Sequence, residues 1–356
     1  MTMDIESRLS LVREVGEEII TEGELRQLLE TKKNPVAYDG FEPSGILHIA
    51  QGILRVINVN RMTQAGVKFK MYAADWHGWA NNKLGGDLEK INKCGDYLVE
   101  AWKAAGMETK NVEFVRASDV VSKSGYWKKV LQISRHSTIQ RIIRTGQIMG
   151  RKDAEVQQAS QIIYPCMQAA DIFELEADIC QLGMDQRKVN ILAREMGPKL
   201  GWWKPVIVSH HMLLGLQHVP STATDAVERS IDLKMSKSKP DSAIFMTDTA
   251  EEIKRKIAKA YCPMAEEENP ILEYCRYIIF PSFKKVKIVR KFGGDLEFSS
   301  YGDLAAAFKS GDIHPADLKA STASYVDKLV NPVRKHFSKG NARTLAEEVK
   351  SFAVTR

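Results

Sequence analysis

A short loop near residue 236 brings cationic and hydroxyl side chains together. Its sequence is Lys234-Met235-Ser236-Lys237-Ser238. When pyrophosphate leaves an α-phosphate, negative charge builds up on it, and positioned ammonium groups stabilise that charge in the transition state. A solvated surface loop is the ordinary alternative. Lys234 and Lys237 are therefore candidate catalytic residues for a nucleotide substrate.

A second candidate site is the turn that joins the first predicted sheet strand to its helix. This turn begins at Tyr38 and reads YDGFEPSGILHIAQG. Gly45 lets the backbone approach a ligand closely, and a helix N-terminus presents free N–H groups to phosphate. His48 and Gln51 lie three residues apart on the first turn and both can donate hydrogen bonds. The glycine spacing fits neither the dinucleotide-binding pattern G-x-G-x-x-G nor the Walker phosphate-binding pattern. An ordinary turn with a capping serine therefore remains the alternative.

Polar residues also form a stripe on an otherwise apolar helix. Tyr164, Gln168 and Asp171 stand at positions i, i+4 and i+7, which places them on one face. Pro165 predicts that the helix begins there, because proline suits the first turn. If the face is buried, these groups need partners, and a ligand can supply them. The carboxylate can accept a hydrogen bond from a phenol hydroxyl, and the other two side chains can hold an ammonium group. An exposed polar face is the alternative.

Two of these motifs resemble a known enzyme class. His48-Ile49-Ala50-Gln51 resembles the HIGH signature of class I aminoacyl-tRNA synthetases, and residues 234–238 match their KMSKS signature letter for letter. Gln51 departs from the pattern, because it replaces the second histidine and cannot carry charge. The resemblance implies ATP with Mg²⁺ as co-substrate, with no tightly bound cofactor and no metal site. It assigns catalysis to Lys234, Lys237, His48 and Gln51. It implies that ATP contacts Gly40, Glu42, Pro43, Ser44, Gly45, His48, Gln51, Met235, Ser236, Lys237 and Ser238.

The polar stripe narrows the resemblance to one family. It looks like the Y-x-x-x-Q-x-x-D helix of tyrosyl-tRNA synthetases of the archaeal and eukaryotic type, and residues 183–188 resemble that family's G-M-[DE]-Q-R-K turn. The resemblance implies that Asp171 and Tyr38 read the hydroxyl of L-tyrosine. It implies that Tyr164, Gln168 and Gln186 make the remaining tyrosine contacts.

Two further stretches, 291–296 and 314–319, resemble the family's anticodon site. The resemblance implies that Phe292 stacks on a base while His314 and Asp317 form hydrogen bonds nearby. Stacking with edge contacts is the way in which proteins read unpaired RNA bases. Without the resemblance, Phe292 would be read as a core residue before a turn.

Hydrophobic periodicity predicts the elements that must position these residues. Strands that alternate with helices of ten or more residues predict an α/β fold with a doubly wound parallel sheet. We expect a Rossmann-like catalytic domain over residues 1–245, with a helical insertion at 118–160. We expect a mostly helical anticodon-binding domain over 246–356, without a strand pair. Helix is predicted over 4–31, and strands are predicted at 35–41, 68–74, 112–115, 178–182 and 205–209.

Composition sets broader limits. The chain has 356 residues and a net charge of +6, from 51 basic and 45 acidic residues. That charge is compatible with a polyanionic partner, although many proteins without one share it. Five cysteines without a C-x-x-C pair argue against a disulfide framework or a zinc knuckle, so a reducing cytoplasm fits best. Neither a signal peptide nor a membrane-spanning run is expected.

The hypothesis is an enzyme that activates L-tyrosine with ATP and transfers it to the 3′ end of tRNA(Tyr). The resemblance also implies a homodimer, with the insertion at its interface. A tryptophanyl-tRNA synthetase shares the fold and both signatures and is the nearest alternative, against which Asp171 argues. A non-catalytic tRNA-binding paralogue and a nucleotidylyltransferase also remain open.

Overall fold

The structure is a computed structural model that describes residues 3–149, 158–218, 229, 233, 235 and 240–352. It contains a six-stranded sheet in the order β1-β6-β5-β2-β3-β4. All neighbouring strands are parallel except β1, which is antiparallel to β6. The predicted α/β fold with a parallel sheet is therefore confirmed. The strands are β1 Glu18–Ile20, β2 Val36–Phe41, β3 Lys68–Ala73, β4 Val112–Arg116, β5 Ile179–Cys180 and β6 Val206–Ser209.

The first helical prediction is wrong at its centre. Residues 4–31 were expected to be helical, but β1 separates two helices there. Ile19 lies opposite Val208 of the last strand, so pairing with a distant segment decides the local structure. The second of these helices begins at Glu22 and is capped by Thr21, whose hydroxyl accepts a hydrogen bond from the Glu24 N–H at 3.2 Å.

Helices cover both faces of the sheet and include the insertion. In the described part of the insertion, helices occur at Ala117–Val121, Ser124–Arg135 and Ile139–Thr145. The polar stripe lies on α9, but this helix begins at Ala159 and contains Pro165 in its interior. The predicted start at Pro165 is therefore wrong; a cap at Gln158 starts the helix six residues earlier. The helices up to β6 are α1 Ile5–Arg13, α2 Glu22–Thr31, α3 Arg55–Gln64, α4 Asp75–Ala80, α5 Leu88–Ala104, α6 Ala117–Val121, α7 Ser124–Arg135, α8 Ile139–Thr145, α9 Ala159–Glu174 and α10 Arg187–Lys199.

The C-terminal part is mostly helical, but it also contains a two-stranded antiparallel hairpin. β7 (Val286–Ile288) pairs with β8 (Leu296–Phe298), so the expectation of no strand pair is wrong. Both strands are only three residues long, too short for a clear alternation of hydrophobic and polar residues. The C-terminal helices are α11 Ala250–Lys259, α12 Pro270–Tyr274, α13 Phe280–Ser282, α14 Tyr301–Lys309, α15 Pro315–His336 and α16 Gly340–Ser351.

One hydrophobic cluster extends from α1 to α16, across the expected domain boundary. Near that boundary, Phe245 pairs with His48 in an isolated β-bridge, and Met246 packs where Gly52 has no side chain. The C-terminal helices are thus packed close to the turn that carries His48. No helix among the described residues is long and apolar enough to cross a membrane.

Candidate active site

A cavity of about 360 Å³ opens at the carboxyl ends of the parallel strands. Ligands bind at this edge in doubly wound sheets, because the loops that leave neighbouring strands converge there. Most of the residues singled out in the sequence line this cavity. Its lining includes Tyr38, Gly40, Glu42, Ser44, His48, Gln51, Tyr72, His77, Tyr164, Gln168, Asp171, Asp185, Gln186, His210, His211 and Met235.

The floor of the cavity is built around Asp171. Its carboxylate is 1% exposed and has three donors around it. The hydroxyls of Tyr72 and Tyr126 each donate to Oδ1 at 3.0 Å, and His77 Nε2 lies 2.9 Å from Oδ2. A carboxylate offers about four lone-pair positions, so one acceptor position is left for a ligand. The floor is thus preorganised to accept one more hydrogen bond.

Protonation states follow from burial and charge. Burial alone lowers the pKa of His77, but the neighbouring Asp171 carboxylate outweighs it and raises the pKa above its ordinary value. Burial raises the pKa of Tyr72 and Tyr126 well above the usual value, and Asp171 raises it further. Both hydroxyls therefore keep their protons and act as donors.

Tyr38 contributes a hydroxyl of a different kind. The residue is 1% exposed and lines the cavity, and Gln168 is a hydrogen-bonding neighbour of its hydroxyl. Burial raises its pKa well above the usual value, so the group is a neutral donor and acceptor. A hydroxyl has one proton to donate and two lone pairs, so capacity is left here for a ligand atom.

The other predicted tyrosine contacts also come together. Gln168 Nε2 donates to Gln186 Oε1 at 3.0 Å, and Gln186 Nε2 donates to the Ile148 carbonyl at 3.1 Å. The Tyr164 ring packs edge-on against His77, with ring centroids 5.1 Å apart. These side chains form one wall of the cavity beside Asp171.

The turn after β2 also lines the cavity. Gly40, Glu42, Ser44, His48 and Gln51 line it. Gly45 has a φ of +109°, a conformation that L side chains rarely adopt, so the turn requires glycine. Pro43 and Gly45 belong to the same turn but are not among the lining residues.

Glu42 is held by a neighbouring loop. The Asn81 amide donates to both of its carboxylate oxygens, at 3.0 and 3.2 Å, and Lys83 Nζ lies 3.4 Å away. Asp75 has a positional role, because its Oδ1 accepts hydrogen bonds from the backbone N–H groups of Trp76 and Ser118.

Most of the lysine- and serine-rich loop lies outside the described residues. This applies to Lys234, Ser236, Lys237 and Ser238. Met235 is described; it is buried and lines the cavity, and the Tyr274 hydroxyl donates to its sulfur at 3.9 Å. One member of the predicted phosphate site therefore lies at the cavity.

The residues predicted to meet an anticodon lie on the hairpin and the start of α15. Phe292 is 78% exposed, so it is not a core residue. Arg290 holds the turn, because its guanidinium donates to the carbonyls of Gly294 at 2.6 Å and Asp312 at 3.0 Å. His314 caps α15 and accepts from the Ala316 N–H, with Asp317 in the first turn of that helix.

The sequence analysis assigned no role to three residues that surround Asp171: Tyr72, Tyr126 and His77. Tyr72 lies near the carboxyl end of β3, at the ligand edge, and that position was a usable signal. Tyr126 lies in the helical insertion, and nothing in its local sequence indicates that it reaches the cavity floor. His77 lies on the helix that follows β3, and its contact with Asp171 supplies its role.

Comparisons with known proteins identify the family of the chain. A family model described as tRNA synthetases class I (W and Y) matches residues 30–331. Tyrosine--tRNA ligase 2, cytoplasmic, of Arabidopsis thaliana is 49% identical over 362 residues, which cover 100% of this chain and 47% of that relative. The chain thus spans about half the length of that protein. Tyrosine--tRNA ligase 1, cytoplasmic, of the same plant is 48% identical, with 100% of this chain and 91% of the relative covered.

A solved structure supports the same assignment. Tyrosyl-tRNA synthetase from Pyrococcus horikoshii, complexed with L-tyrosine, superposes with a TM-score of 0.89 at 38% identity, covering 97% of this chain and 100% of that one. The family match, the full-length relative and the shared fold agree with one another. The chain therefore belongs to the class I tRNA synthetases of the tryptophan and tyrosine family, within the branch of the tyrosine--tRNA ligases.

Proposed function

We propose that this chain is a tyrosine--tRNA ligase. It activates L-tyrosine with ATP to tyrosyl-adenylate, releases pyrophosphate, and transfers tyrosine to the 3′ end of tRNA(Tyr). The names of its relatives support this activity, and the cytoplasmic location in the names of the two plant relatives is carried over with it. The observation that carries the proposal is the cavity floor, where Asp171 has one open acceptor position near the Tyr38 hydroxyl.

The floor chemistry selects a phenol. Asp171 accepts from the substrate hydroxyl, and the Tyr38 hydroxyl contacts the same oxygen. Phenylalanine lacks this hydroxyl and would leave each of the two buried protein groups one hydrogen bond short, which disfavours its binding. An indole N–H could donate to the carboxylate but offers no acceptor to Tyr38, which favours tyrosine over tryptophan.

The other end of tyrosine is held by the wall of the cavity. Gln168, Gln186 and Tyr164 provide amide and hydroxyl groups for the ammonium group. The carboxylate of tyrosine is already ionised, so its attack on the α-phosphate needs no general base. Catalysis in this step is positioning and charge stabilisation.

The nucleotide end uses both signatures. His48 and Gln51 contact ATP from the turn after β2, together with Gly40, Glu42, Pro43, Ser44 and Gly45, while Lys234 and Lys237 stabilise the leaving pyrophosphate beside Met235, Ser236 and Ser238. Mg²⁺ enters with the ATP phosphates as part of the substrate. A search of the described residues finds no cluster of three or more His, Cys, Asp or Glu side chains that could hold a metal ion of its own.

Two larger partners complete the proposal. Residues 246–356 bind the anticodon of tRNA(Tyr), with Phe292 stacked on a base and His314 and Asp317 beside it. A second copy of the chain covers the insertion, because large apolar side chains are exposed there, including Leu131 at 63% and Ile139 at 69%. Light scattering at micromolar concentration checks this: a dimer is expected, and a monomer contradicts it.

The experiment that tests the function is ATP–pyrophosphate exchange with each of the twenty amino acids. We expect exchange with tyrosine and at most weak exchange with tryptophan or phenylalanine. A preference for tryptophan would replace the proposal with the tryptophan enzyme. Binding of tRNA without exchange or aminoacylation would replace it with a non-catalytic paralogue.

A further inference from the structure

A buried polar network, which the sequence did not point to, lies behind the cavity. Arg55 on α3 is 1% exposed, and its Nη1 donates to Asp39 Oδ2 at 2.6 Å. The same nitrogen lies 3.3 Å from His210 Nδ1, and Nη2 donates to Gln181 Oε1. Asp39 and His210 also line the cavity, so the network reaches the site where substrate binds.

The guanidinium determines how the Gln181 amide is oriented. Arginine has only donors, so the atom of Gln181 that faces Nη2 must be the oxygen. Its Nε2 therefore points the other way, 3.2 Å from His210 Nδ1 and 3.5 Å from the Val208 carbonyl. This amide nitrogen is also a donor only.

The network in turn determines the tautomer of His210. Its Nδ1 faces two donors, Arg55 Nη1 and Gln181 Nε2, and neither can accept a hydrogen bond. Nδ1 must therefore be the unprotonated acceptor. Burial and the charge of Arg55 lower the pKa of His210 well below its ordinary value, so the ring is neutral. Its single proton lies on Nε2.

The protonated nitrogen faces the cavity. Gly183 and His210 form a parallel β-bridge just beyond β5 and β6, and His210 Nε2 lies 3.5 Å from the position that a Cβ on Gly183 would take. The absence of a side chain at Gly183 leaves room beside it for a ligand atom.

The position of His210 identifies the part of the substrate that it meets. Leu54 and Gln51, which follow β2, and Leu213 and Met235, near the second signature, line the same cavity as His210. Asp185 Oδ1 lies 2.7 Å from the same Cβ position on Gly183. A phosphate would be repelled by this carboxylate, whereas a sugar hydroxyl can accept from an imidazole N–H and donate to a carboxylate.

We propose that His210 is a nucleotide-binding residue, held by Arg55 and Gln181 as the Nε2–H tautomer, which donates a hydrogen bond to a ribose hydroxyl of ATP. Arg55 and Gln181 are positioning residues that act through His210. The proposal rests on the proposed function, because it assigns the nucleotide that the site binds.

The direct test is steady-state exchange with His210→Ala. We expect the KM for ATP to rise about tenfold, the loss of one neutral hydrogen bond, with the KM for tyrosine unchanged. His210→Gln should recover part of the loss, because its amide nitrogen can take the place of Nε2. His336→Gln, which changes a histidine on α15 outside the cavity, is the matched control and should leave both values unchanged. A rise in the tyrosine KM alone, or no change in either, would overturn the proposal.

Substrate analogues locate the contact. If His210 donates to a ribose hydroxyl, either 2′-deoxy-ATP or 3′-deoxy-ATP should show no further loss in the His210→Ala variant. If the His210→Ala substitution lowers activity by the same factor with ATP and with both analogues, the contact lies elsewhere and the ribose assignment is overturned.

Nitrogen-15 NMR of histidine-labelled protein tests the tautomer without any need for activity. The signal of His210 should show a protonated Nε2 and an unprotonated Nδ1, and Gln181→Met should add the other tautomer. A protonated Nδ1 in the unmutated protein would overturn the proposal. If tyrosine-dependent exchange is absent in the unmutated protein, the proposed function fails, while NMR titration with ATP still tests His210. If exchange is present and His210→Ala behaves like the unmutated protein, only this inference fails.

Discussion

The cavity floor and the C-terminal hairpin present aromatic residues in opposite ways. At the floor, Tyr72 and Tyr126 are almost completely buried and their hydroxyls are hydrogen-bonded to Asp171. On the hairpin, the Phe292 ring is 78% exposed, and the turn beneath it is held by Arg290. A site that must distinguish one hydroxyl needs dry, fixed hydrogen-bonding groups, whereas a surface that stacks on an RNA base needs an open ring. The two regions thus suit a small substrate and a large one.

The largest expected effect comes from breaking the floor. Asp171→Asn removes the charge that His77 faces and places an amide among donors. We expect kcat/KM for tyrosine in exchange to fall about two-hundredfold to five-thousandfold, matching about 3–5 kcal/mol for one partner removed from a buried ion pair. Thermal unfolding should also shift to lower temperature. Asp119→Asn on the exposed surface of α6 is the control, and an unchanged exchange rate in Asp171→Asn would contradict the assigned role.

A subtler change at the floor tests selectivity. Tyr38→Phe removes only one hydroxyl at the floor. We expect the preference for tyrosine over phenylalanine, measured as the ratio of kcat/KM values, to fall about tenfold, because the mutant has no hydroxyl there to lose a hydrogen bond when phenylalanine binds. Tyr97→Phe is a matched control, since it removes another buried hydroxyl away from the cavity. If both variants behave alike, Tyr38 does not read the substrate.

A change in the hairpin should affect tRNA charging and leave tyrosine-dependent exchange unchanged. Phe292→Ala is expected to lower kcat/KM for tRNA charging about tenfold or more, because stacking on a base contributes about 1–3 kcal/mol. Tyrosine-dependent exchange should not change, since no tRNA takes part in it. Val289→Ala, which shortens another exposed apolar side chain of this region, is the control. Equal losses in exchange and charging would show that the ring acts through the fold and not on RNA.

The smallest expected effect lies at the junction between the two regions. His211 follows β6, stacks on Tyr277 with ring centroids 4.2 Å apart, and lies between Glu17 and Glu273. Burial alone lowers its pKa, but these two carboxylates outweigh burial and raise the pKa to about 9. A raised pKa means that the ion pairs stabilise the fold fully below about pH 6.5 and lose that effect as pH rises through about 9.

Thermal unfolding measured from pH 6 to pH 10 checks this expectation. The difference in melting temperature between the unmutated chain and His211→Gln should be largest at low pH and should shrink as pH approaches 10. His136→Gln, at an exposed position at the end of α7, should follow the unmutated chain throughout. A difference that grows with pH would show that the neutral ring, and not the ion pair, stabilises the junction.

The sequence predicted the helices and strands better than it predicted which of them pair or pack together. The strands β2 to β6 and the stripe on α9 followed from periodicity, because spacing along the chain reports which residues share a face. β1, the β7–β8 hairpin and the start of α9 were predicted wrongly. Residues 18–20 form β1 because they pair with β6, and no local sequence pattern indicates that pairing.

For this protein, the sequence alone determined the chemistry that the site offers: phosphate-binding motifs, a polar stripe with one carboxylate, and the family that they resemble. These signals are local, because each motif lies within a few residues on one turn or one helix face. Only the tertiary structure decided how the groups are used. Asp171 meets a tyrosine 99 residues earlier and another 45 residues earlier in the chain, and His210 receives its tautomer from Arg55, 155 residues before it. Such contacts depend on which elements pack together, and hydrogen bonds between them set the protonation that local spacing cannot show.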